Sequence, residues 1–311
     1  SERIQKTSIN RRNEKIKVEN ASYEIETLIN SYNQMVDKLE ESADKLTQIK
    51  SLTITGHMYE TDIAILKQCT NLEYLNLSKS TISESPESFE RRKKDMFQSS
   101  DPLPDCYIPS EAFKDMRLRT VILPRKLKAI YHSSFLGCKS LQNVDLGETL
   151  VTIGARAFEN TQLLEVVFPK TLKEIFGDAF ENVRNLKILD LSQCAMNEYL
   201  TISELNTNLG KLPDLEVFYM ANEITSCAAF FFYEDNFGGE CPKLKDFYVG
   251  KAVKSIDRKI SKISLHFQSE LAPELGRFAE VSNCTIYVPK NGNITSYYAK
   301  FNNNGNKIIQ E

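Results

Sequence analysis

The sequence has few of the features on which catalysis, metal binding or membrane insertion usually depend. Its seven cysteines stand singly, with no CxxC pair, so zinc and thioredoxin-type chemistry have no support. The three histidines lie far apart along the chain, and neither a P-loop nor a GxGxxG motif is present. No apolar run reaches the length of a membrane span. We therefore expect a protein that is not an enzyme and that holds no metal or cofactor.

An excess of either charge is also lacking. The 39 Lys and Arg residues are balanced by 42 Asp and Glu residues, which gives a net charge of −3 with both signs mixed along the chain. Nucleic acids and anionic membranes select a basic face, so we expect no nucleic-acid partner. The first residues form no hydrophobic signal segment, so the protein is either cytoplasmic or has lost a targeting segment.

What the chain does contain is an internal repeat. Four copies between Ile108 and Asn197 share the pattern I-x-x-x-x-F followed by L-x-x-Φ-x-Φ, where Φ is apolar. The central Φ of this second piece recurs at Leu52, Leu75, Val121, Val144, Val166, Leu189, Phe218 and Phe247, with two degenerate copies around Leu265 and Ile286. Four of the seven steps between the eight good copies are 22 or 23 residues, a spacing found in leucine-rich repeats, and the two steps to Phe218 and Phe247 are 29 residues each. The 46-residue step from Leu75 to Val121 indicates an insertion or one eroded repeat.

The alternating Φ-x-Φ piece predicts a short strand with one buried side. One repeat cannot cover its own apolar face, whereas stacked repeats can. We therefore predict an α/β solenoid of leucine-rich repeats with a curved parallel sheet of about 8–10 short strands and an N-terminal capping helix. Its parts are a polar tether and capping helix (1–48), the solenoid (49–290, with the insertion at about 83–107) and a C-terminal cap or tail (291–311).

The four copies resemble the BspA-like leucine-rich repeats found in surface proteins of host-associated anaerobic bacteria. The matching features are the dipeptides Ala112-Phe113, Ala157-Phe158 and Ala179-Phe180, the Cys138/Leu141 pair, the Leu-Pro or Phe-Pro strand ends, and the late segment 284–298. The asparagine three residues after the strand in ordinary leucine-rich repeats is absent. The resemblance implies a secreted or lipid-anchored surface protein that adheres to host proteins or other cells. Any membrane contact would then run through a lipid anchor outside these 311 residues.

Three segments do not follow the repeat. Residues 23–47 carry apolar side chains at helical spacing and predict either a cap over the first repeat or a coiled-coil partner helix. The charge run 90–95 in the insertion predicts a solvated helical face, with a binding loop as the alternative. The aromatic-rich segment 228–239 is expected to pack into a lengthened repeat, with a sticky edge as the alternative.

The cysteines and histidines can be judged against the repeat itself. Cys138 occupies the position of Met116, Thr161 and Val183, and Cys69 and Cys241 occupy the same slot in other copies. A slot that accepts methionine and valine predicts apolar packing rather than a reactive thiol. His132 aligns with small residues and marks a tolerant outer turn.

Residues between the two Φ positions should point outward on the concave face. This row reads Thr53, Asn76, Ile122, Asp145, Val167, Asp190, Tyr219, Tyr248, His266 and Tyr287. Exposed tyrosines on rigid strands are good binding anchors, although they could instead pack on one another across strands. The candidate partner-binding residues on this face are Asp145, Glu165, Asp190, Tyr219, Tyr248, His266 and Tyr287.

Two functions fit these patterns. The first is a monomeric surface or secreted protein that binds a host or bacterial surface protein through its concave face, and hence mediates adhesion. The second is a glycan-binding protein of a carbohydrate-uptake system, because an aromatic row could also stack on sugars.

Overall fold

A computed structural model describes residues 44–94, 103–196, 209–225, 241–257, 259–277 and 279–311. The predicted helix at 23–47 lies outside them except for 44–47, which are helical. The aromatic-rich segment 228–239 and Cys227 also lie outside the described residues.

The described elements are short and follow one another at the repeat spacing. In chain order they are β1 (Ser51–Tyr59), a 3₁₀ turn (Glu60–Asp62), α1 (Ile63–Leu66), β2 (Tyr74–Ser83), α2 (Pro86–Lys94), β3 (Tyr107–Ile108), β4 (Thr120–Ile122), β5 (Ala129–Ile130), β6 (Asn143–Asp145), β7 (Thr152–Ile153), β8 (Glu174–Ile175), β9 (Ile188–Asp190), β10 (Val217–Tyr219), β11 (Asp246–Val249), β12 (Ser255–Ile256), β13 (Lys259–Ser261), β14 (Ser264–Phe267), β15 (Glu274–Leu275), β16 (Glu280–Ser282), β17 (Thr285–Val288), α3 (Ile294–Phe301) and β18 (Lys307–Gln310).

The repeat strands pair in parallel and in the phase that the sequence predicts. Leu75 lies beside Val121, and Val121 beside Val144, so the central apolar positions align across strands. The strand row is divided, however, into a four-stranded sheet (β1-β2-β4-β6) and a six-stranded sheet (β9-β10-β11-β14-β17-β18). Between them, the repeat at 163–168 contributes a single bridge, from Glu165 to Asn143. The fold is the predicted parallel solenoid, with its sheet interrupted in the middle.

A second set of very short strands lies on the other side of each repeat. The two-residue strands β3, β5, β7 and β8 form one parallel ladder, and β12-β15 and β13-β16 form two more. Beside the first ladder, the phenylalanine of each I-x-x-x-x-F segment stacks on the next, with ring centroids 5.2–5.4 Å apart from Phe113 through Phe135 and Phe158 to Phe180. These rings are fully buried and give each repeat a large apolar contact with its neighbours.

One continuous apolar core runs through the described repeats, from Met58 to Phe301. Cys69 and Cys138 are buried in it, which confirms that their slot is an apolar packing position. His132 is exposed, as a tolerant outer turn requires.

The outer turn of four repeats holds two residues in the left-handed backbone region. The first position is occupied by Glu111, Ser133, Arg156 and Asp178, with φ of 55–59°. The second is occupied by Asp115, Gly137, Asn160 and Asn182. Asn, Asp and Gly tolerate this region better than other residues, and the second position contains only these. The turn is therefore part of the repeat signature.

The 46-residue step is an insertion, because β2 pairs directly with β4. Residues 90–94 of its charge run lie in the helix α2, but one of them departs from the predicted solvated face. Arg92 is buried and donates from Nε and one Nη to the two carboxylate oxygens of Glu84, both at 2.9 Å. Ser85 in turn binds the Glu60 carboxylate through its backbone N–H and its hydroxyl. These pairs hold the start of the insertion against the first repeats.

The last residues contribute to the sheet as well. The side chain of Asn293 accepts a hydrogen bond from the Ser296 amide at the start of α3. Tyr297 and Phe301 on this helix are fully buried, and β18 then pairs with β17. Residues 291–311 therefore close one more repeat of the strand row.

Candidate binding face

The outward side chains of the strand row form one surface, which we call the concave face. In one pair of repeats, the inward rings of Phe218 and Phe247 lie 5.3 Å apart, whereas the outward rings of Tyr219 and Tyr248 lie 4.2 Å apart. The outward rings of these two repeats are therefore packed more closely than their inward rings.

The C-terminal half of this face carries a continuous stack of four aromatic rings. Tyr219, Tyr248, His266 and Tyr287 face one another in register across β10, β11, β14 and β17. Successive centroids are 4.2, 4.2 and 4.5 Å apart, with interplanar angles of 16°, 11° and 2°. The rings thus pack on one another, and both faces of Tyr248 and His266 are covered. This packing, with nearby acids, raises the pKa of the Tyr248 hydroxyl, mainly through desolvation.

A carboxylate holds the histidine of the stack in place. His266 Nε2 lies 3.1 Å from Asp246 Oδ1, within hydrogen-bond distance, and Nδ1 lies 3.7 Å from Glu311 Oε1. A ring that is stacked on both sides and hydrogen-bonded at one nitrogen has little rotational freedom. The aromatic stack is therefore a rigid ridge.

The three predicted acids do not form one cluster. Asp145 lies 3.3 Å from Arg125 and accepts a hydrogen bond from the Gly147 amide. Asp190 accepts from the Ser192 amide two residues on. Only Glu165 and Asp190 line the same depression, so the structure brings two of the three acids together.

That depression lies where the strand row is interrupted, and it contains apolar side chains that sequence reasoning did not single out. Its volume is about 530 Å³. Leu164, Val167 and Ile188 line it and are 50%, 71% and 55% exposed. Val217, beside Ile188 in register, leads from this apolar patch toward the aromatic stack.

A sequence signal for the patch existed. At the position of Leu164, the neighbouring copies carry Arg119, Gln142, Lys187 and Glu216, so leucine is the exception in a polar column. Exposed apolar side chains that cluster are typical of interaction sites, whereas scattered ones are common on any surface.

The remaining chemistry of the described residues is structural. Burial raises the pKa of the Cys138 and Cys194 thiols to about 12, which keeps them protonated and unreactive. Within the described ranges, no three His, Cys, Asp or Glu side chains converge as metal ligands would. In the same ranges, no helix has the length and apolarity that a bilayer crossing requires.

Parallel strands at a 22–23-residue period, buried phenylalanine ladders and an exposed strand face define a leucine-rich repeat protein. Residues 106–236 match the family model for the BspA type leucine rich repeat region, in six copies. Residues 106–236 of this chain are therefore similar to BspA-type leucine-rich repeats. No curated protein matches the chain.

Several solved structures of bacterial leucine-rich repeat proteins are similar to the chain. A Treponema pallidum leucine rich repeat protein is 22% identical over 51% of this chain and 68% of its own, with a TM-score of 0.39. A leucine-rich repeat protein from Bacteroides ovatus is 16% identical over 84% and 66%, with a TM-score of 0.39. A leucine rich cell surface protein from Faecalibacterium prausnitzii is 15% identical over 85% and 83%, with a TM-score of 0.30.

Proposed function

We propose that this chain is a non-catalytic binding protein that is displayed on a cell surface or secreted and that engages a protein partner through its concave face. Leucine-rich repeat proteins are in general non-catalytic scaffolds for protein interaction, and BspA-like members are typically surface or secreted proteins. Adhesion to a host or bacterial surface protein, with a lipid anchor outside these residues, is the specific form we propose.

The observation that carries the proposal is the apolar patch of Leu164, Val167 and Ile188. Water contact with these side chains is unfavourable by about 25 cal/mol per Å² of apolar surface, so covering them with a partner gives a driving force. Rigid strands lose little conformational entropy on binding. The neighbouring Glu165 and Asp190 carboxylates would select a partner with a basic group beside its apolar one.

The aromatic stack supports protein binding more than sugar stacking. A sugar ring stacks on an aromatic face, but the faces of Tyr248 and His266 are already covered by neighbouring rings. The four rings are half-buried, and the outer edges that they expose suit edge contacts with a protein. Glycan binding through the tyrosine row, as in a carbohydrate-uptake system, remains the second arm of the test.

The test is a binding screen against immobilised extracellular-matrix proteins, bacterial surface proteins and a glycan array. Any ligand found is then titrated against the double variant Val167→Asp/Ile188→Asp and a Tyr219→Ala/Tyr248→Ala/Tyr287→Ala variant. We expect a protein ligand whose affinity falls roughly tenfold or more in the first variant, since hot-spot side chains contribute about 1–4 kcal/mol each.

The matched control is Leu271→Asp, which places the same charge at an apolar side chain that is 62% exposed but lies between β14 and β15 and not on a strand of the row. Unchanged affinity in both concave-face variants would move the site elsewhere and contradict the proposal. A glycan whose binding requires the three tyrosines would favour the second function.

A further inference from the structure

A second surface of unusual composition lies at the edge of the solenoid where the first strands begin. It is a shallow groove of about 560 Å³ whose lining includes Lys50, Arg117, Arg119 and Lys139. Among the described residues that line it, Glu73 is the one acid. The groove thus carries a formal charge of about +3 in a chain whose net charge is −3. We call these four cations the basic edge.

The repeat provides an internal comparison for the basic edge. In the C-terminal repeats the same edge is more fully neutralised, because Lys187 and Lys245 lie 3.5 and 2.7 Å from Glu216. Lys243 there pairs with Asp214 at 2.5 Å, and its hydrogen bond holds the pKa of that carboxyl below the ordinary value. The basic edge therefore carries more unpaired positive charge than the equivalent edge of the C-terminal repeats.

The cations of the basic edge are poorly neutralised. Arg119 lies 4.0 Å from Glu73, and Arg117 donates to the neutral side chain of Asn71 at 3.4 Å. Within the part of the chain that the structure describes, Lys50 and Lys139 have no carboxylate partner. Both are exposed, so their ammonium groups can reach a ligand without any rearrangement of the fold.

Spacing favours a ligand with repeated charges. Lys50 precedes β1, Arg117 and Arg119 precede β4, and Lys139 precedes β6, which are members of the sheet order β1-β2-β4-β6. Four strands at about 4.8 Å separation span roughly 14 Å. Cations distributed over this length contact several anionic groups of a linear chain at once.

The lining decides between classes of polyanion. All lining residues are polar or charged, and Gln142 and Asn71 add amide groups to the cations. An acidic protein segment needs apolar or aromatic anchors for affinity, and the groove offers none. Nucleic-acid-binding domains are strongly basic as a whole, whereas this chain has a pI near 5.9. Arginine forks and lysines are suited to sulfate and carboxylate groups without further contacts.

From these observations we infer that the basic edge is a binding site for an anionic polysaccharide, separate from the concave face. Sulfate and carboxylate groups share the required chemistry, so two probes separate them. Immobilised heparin carries sulfates, and hyaluronan carries carboxylates only.

The experiment measures binding of the folded chain to each polymer by surface plasmon resonance at about 50 mM salt, where surface electrostatics are weakly screened. We compare Lys50→Gln/Arg119→Gln/Lys139→Gln with the matched Lys187→Gln/Lys243→Gln/Lys245→Gln variant. Because all six side chains are exposed, both variants should keep the fold, which circular dichroism checks.

We expect salt-sensitive binding that weakens roughly tenfold or more in the basic-edge variant and less than about twofold in the matched variant. Binding to heparin alone identifies sulfate as the recognised group, and binding to both polymers shows that carboxylate suffices. No binding to either polymer, equal loss in the two variants, or equally tight binding of polyglutamate or duplex DNA would overturn the inference.

Discussion

The residues with positive φ at the outer turns illustrate how one position can constrain a whole repeat. Asp178 has φ 59° and is exposed, so its side chain adds little packing while its backbone holds the left-handed turn. Four different side chains occupy this position in successive copies, none of them β-branched. Backbone conformation rather than side-chain chemistry is therefore what the position selects.

We expect Asp178→Val to destabilise the protein by about 1–2 kcal/mol, because a β-branched residue is strained in the left-handed region. Asp178→Gly should be neutral or slightly stabilising, since glycine adopts this region without strain. Urea unfolding of the two variants measures the difference. Equal stability of the valine and glycine variants would show that the turn relaxes to another conformation.

At the scale of elements, the insertion shows how a charged segment is attached to an apolar solenoid. The helix α2 follows directly after Glu84 and Ser85, and both of these residues are tied by hydrogen bonds. The guanidinium of Arg92 also lies 5.6 Å from the centre of the Phe89 ring. The hydrogen bond to Glu84 raises the pKa of the Arg92 guanidinium, which therefore stays charged.

Removing Arg92 should loosen α2, because it leaves the Glu84 carboxylate in a largely buried position without its bidentate donor. In Arg92→Ala we expect faster amide hydrogen exchange across Pro86–Lys94 and little change in the repeats around Val144. The neighbouring Arg91→Ala is the control, because Arg91 is exposed on the same helix. Identical protection in the two variants would mean that Arg92 does not anchor α2.

The features that could be predicted from the sequence are those that recur with the repeat. The recurring L-x-x-Φ-x-Φ pattern aligned the strands and the outward rows, including Tyr219 beside Tyr248 across a 29-residue step, and the pairing registers confirm that alignment. The segment at 163–168 has apolar residues on both faces, so its alternation could not reveal that Leu164 is exposed and that the sheet is interrupted there.

Other features depend on contacts between residues that do not recur in each repeat. The Arg92–Glu84 pair joins a residue of the charge run, whose composition favours a solvated face, to a carboxylate that lies before the run. The strand β18 lacks the leading leucine of the repeat, and only its pairing with β17 assigns it to the row. The basic edge arises from residues in three repeats, and each of its cations is ordinary when considered alone.

At the scale of the whole molecule, the buried thiols make the free energy of unfolding depend on pH. Burial raises the pKa of Cys138 and Cys194 to about 12 from an ordinary value of 9.0, and it also raises the pKa of Cys69, Cys106 and Cys284. Between about pH 9 and about pH 12, the thiols of the unfolded chain lose their protons, whereas the buried thiols of the folded chain keep them. The free energy of unfolding therefore falls as pH rises through this window.

We expect stability to be constant near pH 8 and to fall as pH increases above about 9, by at most about 1.4 kcal/mol per pH unit for each buried thiol. Urea unfolding at a series of pH values measures this slope. The Cys138→Ala/Cys194→Ala variant should have a shallower slope even though its overall stability is lower. An unchanged slope would assign the pH dependence to the buried tyrosines instead.

The direct pairing of β2 with β4 has a consequence for engineering. The strand row continues across the 46-residue step with its register intact, so the fold depends on the sequence of strands and not on the length of chain between them. The connection between β2 and β4 is therefore a natural graft site. A foreign loop placed there would be presented from a fixed scaffold, and the stacking of the repeats would not need to change.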